Sequence, residues 1–236
     1  MGRPRYAAAC ALALAILFAG GLVGSACAAG LGGLRSASLL ASSYPIGAVL
    51  DAFTGTVGSS LAGRADLCGD AWHVLGGTMT ITSGQSAVST SAGLVTASVP
   101  LCRGGTDANE EVGGDIHSTG SSLFGLLLHA QPGGLPATAA VYSNAGAGSL
   151  QIERIGVDGS ITVWASVTGT GGGNIPRFLD FSYVGGLYQA SINNVPLLTY
   201  LVTPAQRATV EANNEIGLVA VNDTRSTFDN LQAYPR

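Results

Sequence analysis

The chain has 236 residues, of which 47% are hydrophobic and only 10% charged, and its net charge is −4. It contains no lysine, so every fixed positive charge is an arginine. Without a basic face to neutralise phosphates, nucleic acid is excluded as a partner. Thirty-five glycines without a Gly-X-Y period signal many turns, not collagen.

The first 28 residues read as a signal peptide. Arg3 and Arg5 make a basic start, residues 7–23 form an uncharged apolar run, and Ala26-Cys27-Ala28 supplies the small residues of a cleavage site before Ala29. A retained leader is the alternative, because the apolar run approaches spanning length; only then would the chain meet a membrane. Acylation of Cys27 is a third reading, against which Gly24 stands where such signals carry an aliphatic residue. Cleavage leaves 8 positive and 14 negative residues, a net of −6. The expected location is therefore extracellular or the cell envelope. Cys10 and Cys27 fall in the leader, which leaves Cys68 and Cys102 as an even pair that should bridge in an oxidising compartment.

Residues 29–48, rich in Gly, Ala, Ser and Leu, lack a clear period and read as a tether or first packing strand. The domain proper spans 49–236. It opens at Val49-Leu-Asp-Ala-Phe and passes through Cys68-Gly-Asp-Ala-Trp72 to the alternating segment 78–82. Short strands at 87–91 and 93–99 come next. Residues 111–167 then give five more β-rich runs, at 111–118, 123–130, 138–143, 149–155 and 160–167. Turn residues separate them: Gln-Pro-Gly-Gly, Asn-Ala-Gly-Ala-Gly and Val-Asp-Gly among others. That density of glycine excludes helix. The glycine-rich loop 169–174 is not a phosphate cradle, because a strand and not a helix N-terminus comes after it. Runs at 177–184, 187–192 and 195–201 form hairpins with Gly185-Gly186 and Asn193-Asn194 at the turns. Residues 203–213 can hold a turn or two of helix, and strands at 215–221 and 226–233 close the chain. The fold class is all-β, a two-sheet antiparallel sandwich.

The order of these landmarks resembles the concanavalin A-like lectin/glucanase superfamily in its laminin G-like bacterial form. The similarity is carried by Asp51-Ala-Phe53, Ser60-Leu-Ala-Gly-Arg64, Gly69-Asp-Ala-Trp72, Gly125-Leu-Leu-Leu-His129, the hairpin 186–197, Gly217-Leu-Val-Ala-Val and Phe228-Asp-Asn-Leu. It covers about 49–233 and implies a jelly roll whose first and last strands are adjacent. It does not carry an activity across, because this fold hosts lectins, glycosidases, lyases, adhesins and spacers. The Glu-x-Asp-x-x-Glu strand of its retaining glucanases is missing. Acids stand at Glu110, Glu111 and Asp115, and carboxylates four residues apart on a strand lie about 13 Å from one another, too far for either glycosidase geometry.

Candidate ligand residues are Asp115, His117, His129 and Tyr142, expected on neighbouring strands of one concave sheet, with solvent-facing polar positions as the alternative. His117 and His129 are also the acid and base a lyase would need. Trp72 reads as core. Alternation in Ile161-Thr-Val-Trp-Ala-Ser-Val puts Ile161, Val163, Ala165 and Val167 inward, which turns Trp164 outward as a sugar platform or an outer-sheet contact. Calcium is a habit of the superfamily, and the resemblance brings Asp51 and Asp229 together, with Asp223 to complete a shell. The leading expectation is a secreted, non-catalytic module binding a glycan or cell-surface polymer. A polysaccharide-degrading enzyme on the same fold, and a purely structural subunit, are the alternatives.

Overall fold

The structure is a computed structural model, and it describes residues 49–101, 109–117, 123–173 and 175–235. The leader, the tether and Cys102 lie outside the described residues. The chain divides into two units between Ser43 and Tyr44, and every strand and helix described below belongs to the second. No helix among the described residues is long and apolar enough to cross a membrane.

Among the described residues, fifteen strands run in the order β1 Val49–Asp51, β2 His73–Leu75, β3 Met79–Ile81, β4 Ala87–Ser89, β5 Leu94–Pro100, β6 Glu110–His117, β7 Leu123–Ala130, β8 Ala137–Ser143, β9 Ser149–Ile155, β10 Ile161–Thr168, β11 Arg177–Val184, β12 Leu187–Ile192, β13 Val195–Leu201, β14 Glu215–Val221 and β15 Thr227–Pro235. A helix, α1 Pro204–Val210, lies between β13 and β14. It starts where the sequence carries a capping box. Thr203 accepts the Gln206 N–H, the Gln206 side chain accepts the Thr203 N–H, and Pro204 occupies the first turn.

The strands form two antiparallel sheets. The eight-stranded sheet has the order β13-β12-β11-β6-β15-β4-β3, with β1 also paired to β15, and the seven-stranded sheet has the order β10-β9-β8-β7-β14-β5-β2. Val49, Leu50 and Asp51 pair with Ala233, Gln232 and Leu231. The last strand thus returns to the first, as a jelly roll requires. The hairpins are tight because Gly185, Gly186, Asn193 and Asn194 all adopt positive φ, the geometry whose twist matches the flanking strands.

Between the sheets lies one apolar core that includes Phe53, Trp72, Phe124, Phe181, Tyr188 and Phe228. Alternation places a second buried cluster, with Leu127, Ala139, Val141 and Val219, on the opposite face of the seven-stranded sheet. The β7–β8 loop folds toward that face, since a side chain at Gly134 would collide with Thr96. Glu153, paired with Ala139, is buried there with Oε2 unpartnered, and burial alone pushes its carboxyl up to about 7.

Trp164 departs from the simple alternation. A β-bulge falls between Val163 and Ala165, so Val163 pairs with Glu153 while Ala165 pairs with Ile152. The extra residue reverses the phase of the strand. Ile161 and Val163 become exposed outer positions, while Trp164, Ala165 and Val167 pack against the core. Trp164 stacks on Tyr200 at 4.8 Å between centroids and 18° between planes, so it is an inter-sheet contact and not an outward platform.

Candidate functional site

The sequence candidates do not share one surface. His117 ends β6 in the eight-stranded sheet, whereas His129 lies near the end of β7 and Tyr142 on β8, both in the seven-stranded sheet. The chain changes sheets between β6 and β7, so strands adjacent in sequence are not neighbours in space. Both residues of the seven-stranded sheet belong to the interior. His129, at positive φ, is fully buried with its Nδ1 2.7 Å from the Tyr188 hydroxyl. Its ring meets Tyr183 edge-on at 4.5 Å, and its Nε2 lies 3.9 Å from Glu110 Oε2. Tyr188 in turn donates to Thr138 Oγ1 at 3.1 Å. Glu110 is buried with Oε1 unpartnered, and desolvation pushes its carboxyl up to about 8 despite the His129 N–H. Tyr142 packs edge-on against Phe124 and donates its hydroxyl to the Gly171 carbonyl. Neither His129 nor Tyr142 offers a polar atom to a sugar in solution.

The expected calcium set does not assemble either. Asp51 is saturated: it accepts from Arg64 Nε at 3.2 Å and Nη2 at 3.1 Å, from Trp72 Nε1 at 3.0 Å and from the Phe53 N–H at 2.7 Å. Asp223 closes a local turn, accepting the Arg225 and Ser226 N–H groups, each at 2.8 Å, and the Ser226 hydroxyl. Both carboxylates are committed to donors of the protein itself. Among the described residues, no group of three His, Cys, Asp or Glu side chains is arranged to hold a metal ion.

Asp115, His117 and Asp229 do come together. Antiparallel pairing sets Asp229 opposite Asp115 and Thr227 opposite His117, and alternation turns all four to the outer face of the eight-stranded sheet. With Thr82 and Ser86 from the turn after β3 they line a groove of about 560 Å³. A β-bulge between Asp229 and Gln232 reshapes the strand here, with Asn230 at φ 51°. Bulges of this kind re-aim side chains, and a non-glycine residue in that region is strained. The Asn230 side-chain amide donates to Asp115 Oδ2 at 2.8 Å, and its backbone N–H donates to Asp229 Oδ1 at 2.8 Å. One asparagine thus fixes both carboxylates. The Asp229 carboxyl lies above the usual carboxylate range, chiefly through burial and then through the charges of Asp115 and Asp51.

Beside this groove lies Phe178, an aromatic residue absent from the sequence candidates. It stands on β11, pairs with Asp115 and is half-buried on the outer face. Its ring lies over Gly113, where an added Cβ would come within 2.7 Å of the Phe178 Cζ. The signal is present in Arg177-Phe-Leu-Asp-Phe-Ser-Tyr. Leu179, Phe181 and Tyr183 take the core face, which leaves Phe178 as an aromatic among Asp180 and Ser182. Asn230 carries no such signal, because its role depends on the bulge.

No protein-family model and no curated protein matches the chain. Solved structures do. The carbohydrate binding module CBM66 from Bacillus subtilis superposes with a TM-score of 0.54 at 14% identity, over 69% of this chain and 94% of that one. The Caenorhabditis elegans galectin LEC-6 gives a TM-score of 0.42 at 11% identity, over 58% and 89%. The alginate lyase A1-II' gives 0.42 at 10% identity, over 67% and 83%. The two-sheet antiparallel jelly roll is the fold that the resemblance read from the sequence implies, and the superposition on the carbohydrate binding module agrees with it.

Proposed function

We propose that the protein is a secreted, non-catalytic module that binds a glycan in the groove between Thr82 and Asp229. The carrying observation is the outer face of β6, β11 and β15. It sets hydroxyls and carboxylates around a concavity, with the Phe178 ring beside them. Sugar hydroxyls need such hydrogen-bonding partners, and an aromatic ring suits the apolar face of a pyranose. The likeness in fold to a carbohydrate binding module suggests the ligand class. A degrading enzyme centred on His117 and His129 is disfavoured, because one histidine is exposed on a sheet surface and the other is enclosed between the sheets.

A glycan-array screen of the purified protein, followed by titration calorimetry on its best binders, tests this reading. Phe178→Ala and Asp115→Ala should each weaken binding at least tenfold, about 1.4 kcal/mol, in variants that melt as the parent does. Unchanged affinity in both would remove this face from the account. Release of reducing ends by the parent protein would favour an enzyme, and the absence of any binding across the array would favour a structural subunit.

A further inference from the structure

We infer that the groove discriminates by charge, with Asp115 and Asp229 turning away uronate and sulfated glycans and admitting uncharged ones. This rests on the groove being the glycan site. The two carboxylates belong to strands paired directly at these positions. Their shared partner, Asn230, is neutral, so it orients them without cancelling their charge. No lysine exists anywhere in the chain, and among the described residues no arginine lines the groove. The one nitrogen base among those lining residues is His117, exposed at the end of β6. Arg64 is already committed to the Asp51 carboxylate.

The consequence is a matter of elementary electrostatics. A carboxylate or sulfate entering this concavity would meet two like charges on half-buried side chains, where screening is weaker than in bulk water. An uncharged ring meets no such barrier. Its hydroxyls are donors, and ionised carboxylates are acceptor-only groups. Asn230 occupies one oxygen of each carboxylate, which leaves the other to accept from a sugar hydroxyl in a charge-assisted bond. The same pair therefore attracts neutral sugars and rejects acidic ones. Asp115 and Asp229 would set specificity as well as affinity.

The test titrates the full chain with hexasaccharides of matched length: a glucan, a galactan and a mannan as neutral probes, a polymannuronate and a polyguluronate as acidic ones. The best neutral probe should bind at least tenfold more tightly than either uronate at low ionic strength. That gap should narrow in 0.5 M NaCl, because the rejection is a screened repulsion. In Asp115→Asn/Asp229→Asn the uronates should gain at least fivefold relative to neutral probes. The inference is overturned if the parent binds uronates as tightly as neutral sugars, or if the gap ignores both salt and the double substitution. Should the double variant fail to fold, the salt series on the parent decides alone. If no hexasaccharide of either kind binds, the groove reading itself falls and takes the inference with it. Binding without charge selectivity removes only the inference.

Discussion

The indole N–H of Trp72 lies 3.0 Å from Asp51 Oδ2, inside a buried knot that also holds the Arg64 guanidinium. Asp51 belongs to β1 and pairs with Leu231, so this carboxylate ties the entry of the domain to its last strand. The 64–72 segment is drawn in as well, through the Trp72 N–H to the Arg64 carbonyl. Removing the acceptor leaves a buried indole donor and a largely buried cation without a partner. Asp51→Ala should therefore cost about 3 kcal/mol, seen as a fall in melting temperature of roughly 6–12 °C. Asp51→Asn keeps an acceptor oxygen and should cost less. Chelation by EDTA should leave the melting curve of the parent in place, since arginine, indole and backbone donors already fill this carboxylate.

Trp164 and Tyr200 give a second measurable contrast. They stack between edge strands of the two different sheets, β10 and β13. Losing the half-buried indole forfeits apolar burial and an aromatic pair, about 2 kcal/mol together. Trp164→Ala should lower the melting temperature by several degrees and leave glycan affinity within twofold of the parent. A selective loss of affinity without destabilisation would return Trp164 to the binding surface.

Most of the strand pattern is legible in the sequence because alternation and turn chemistry agree at nearly every join. Gly185-Gly186 and Asn193-Asn194 are examples: only residues that tolerate positive φ fit those corners, and they stand where the hairpins turn. The candidate site is legible only in part. Their spacing of two puts Asp115 and His117 on one face, where the structure has them. It cannot do the same for His129 and Tyr142, because periodicity says which face of a strand a residue takes but not which sheet the strand joins. For Trp164 a single bulged residue is enough to mislead, since the phase flips across it: Ile161 and Val163, expected inward, lie outward, while Ala165 and Val167 keep the inward places expected of them. Asp229 belongs near the site, but with a different partner from the one expected: it faces Asp115 across β6 and β15, while Asp51 is occupied elsewhere.

Cys68 is disulfide-bonded, and Cys102 is the partner we expect, although it lies outside the described residues. A bridge closing a loop of that length restricts the unfolded chain by about 3–4 kcal/mol in the entropic account. Thiol titration of exported protein should find no free thiol before reduction. Cys68→Ser should melt several degrees lower and expose one new thiol, at Cys102. Two titratable thiols in native material would refute the pairing.

The buried Glu110 gives stability a direction with pH. Its carboxyl holds a proton in the folded protein up to about 8, against an ordinary value of 4.5, because burial outweighs the single N–H it receives from His129. Between those two values the folded state binds a proton that the unfolded state has released. Unfolding free energy therefore falls as pH rises through that window and levels off above 8. The full contribution is present below pH 4.5. Glu153, pushed up to about 7 by the same cause, acts with the same sign over a shorter range. At pH 7 the cost from Glu110 is about 3 kcal/mol. Glu110→Gln keeps the shape and an acceptor for the His129 N–H but cannot ionise. Denaturant melts of the parent and variant should coincide near pH 4.5 and diverge as pH rises, with the variant the more stable by a few kcal/mol at pH 8. In Glu153→Gln the remaining slope should still run to pH 8, and in the double variant it should largely vanish. Parallel curves for parent and Glu110→Gln across pH 4.5–8 would mean that this carboxyl finds a donor or water to carry its charge, and would remove it as the source of the pH dependence.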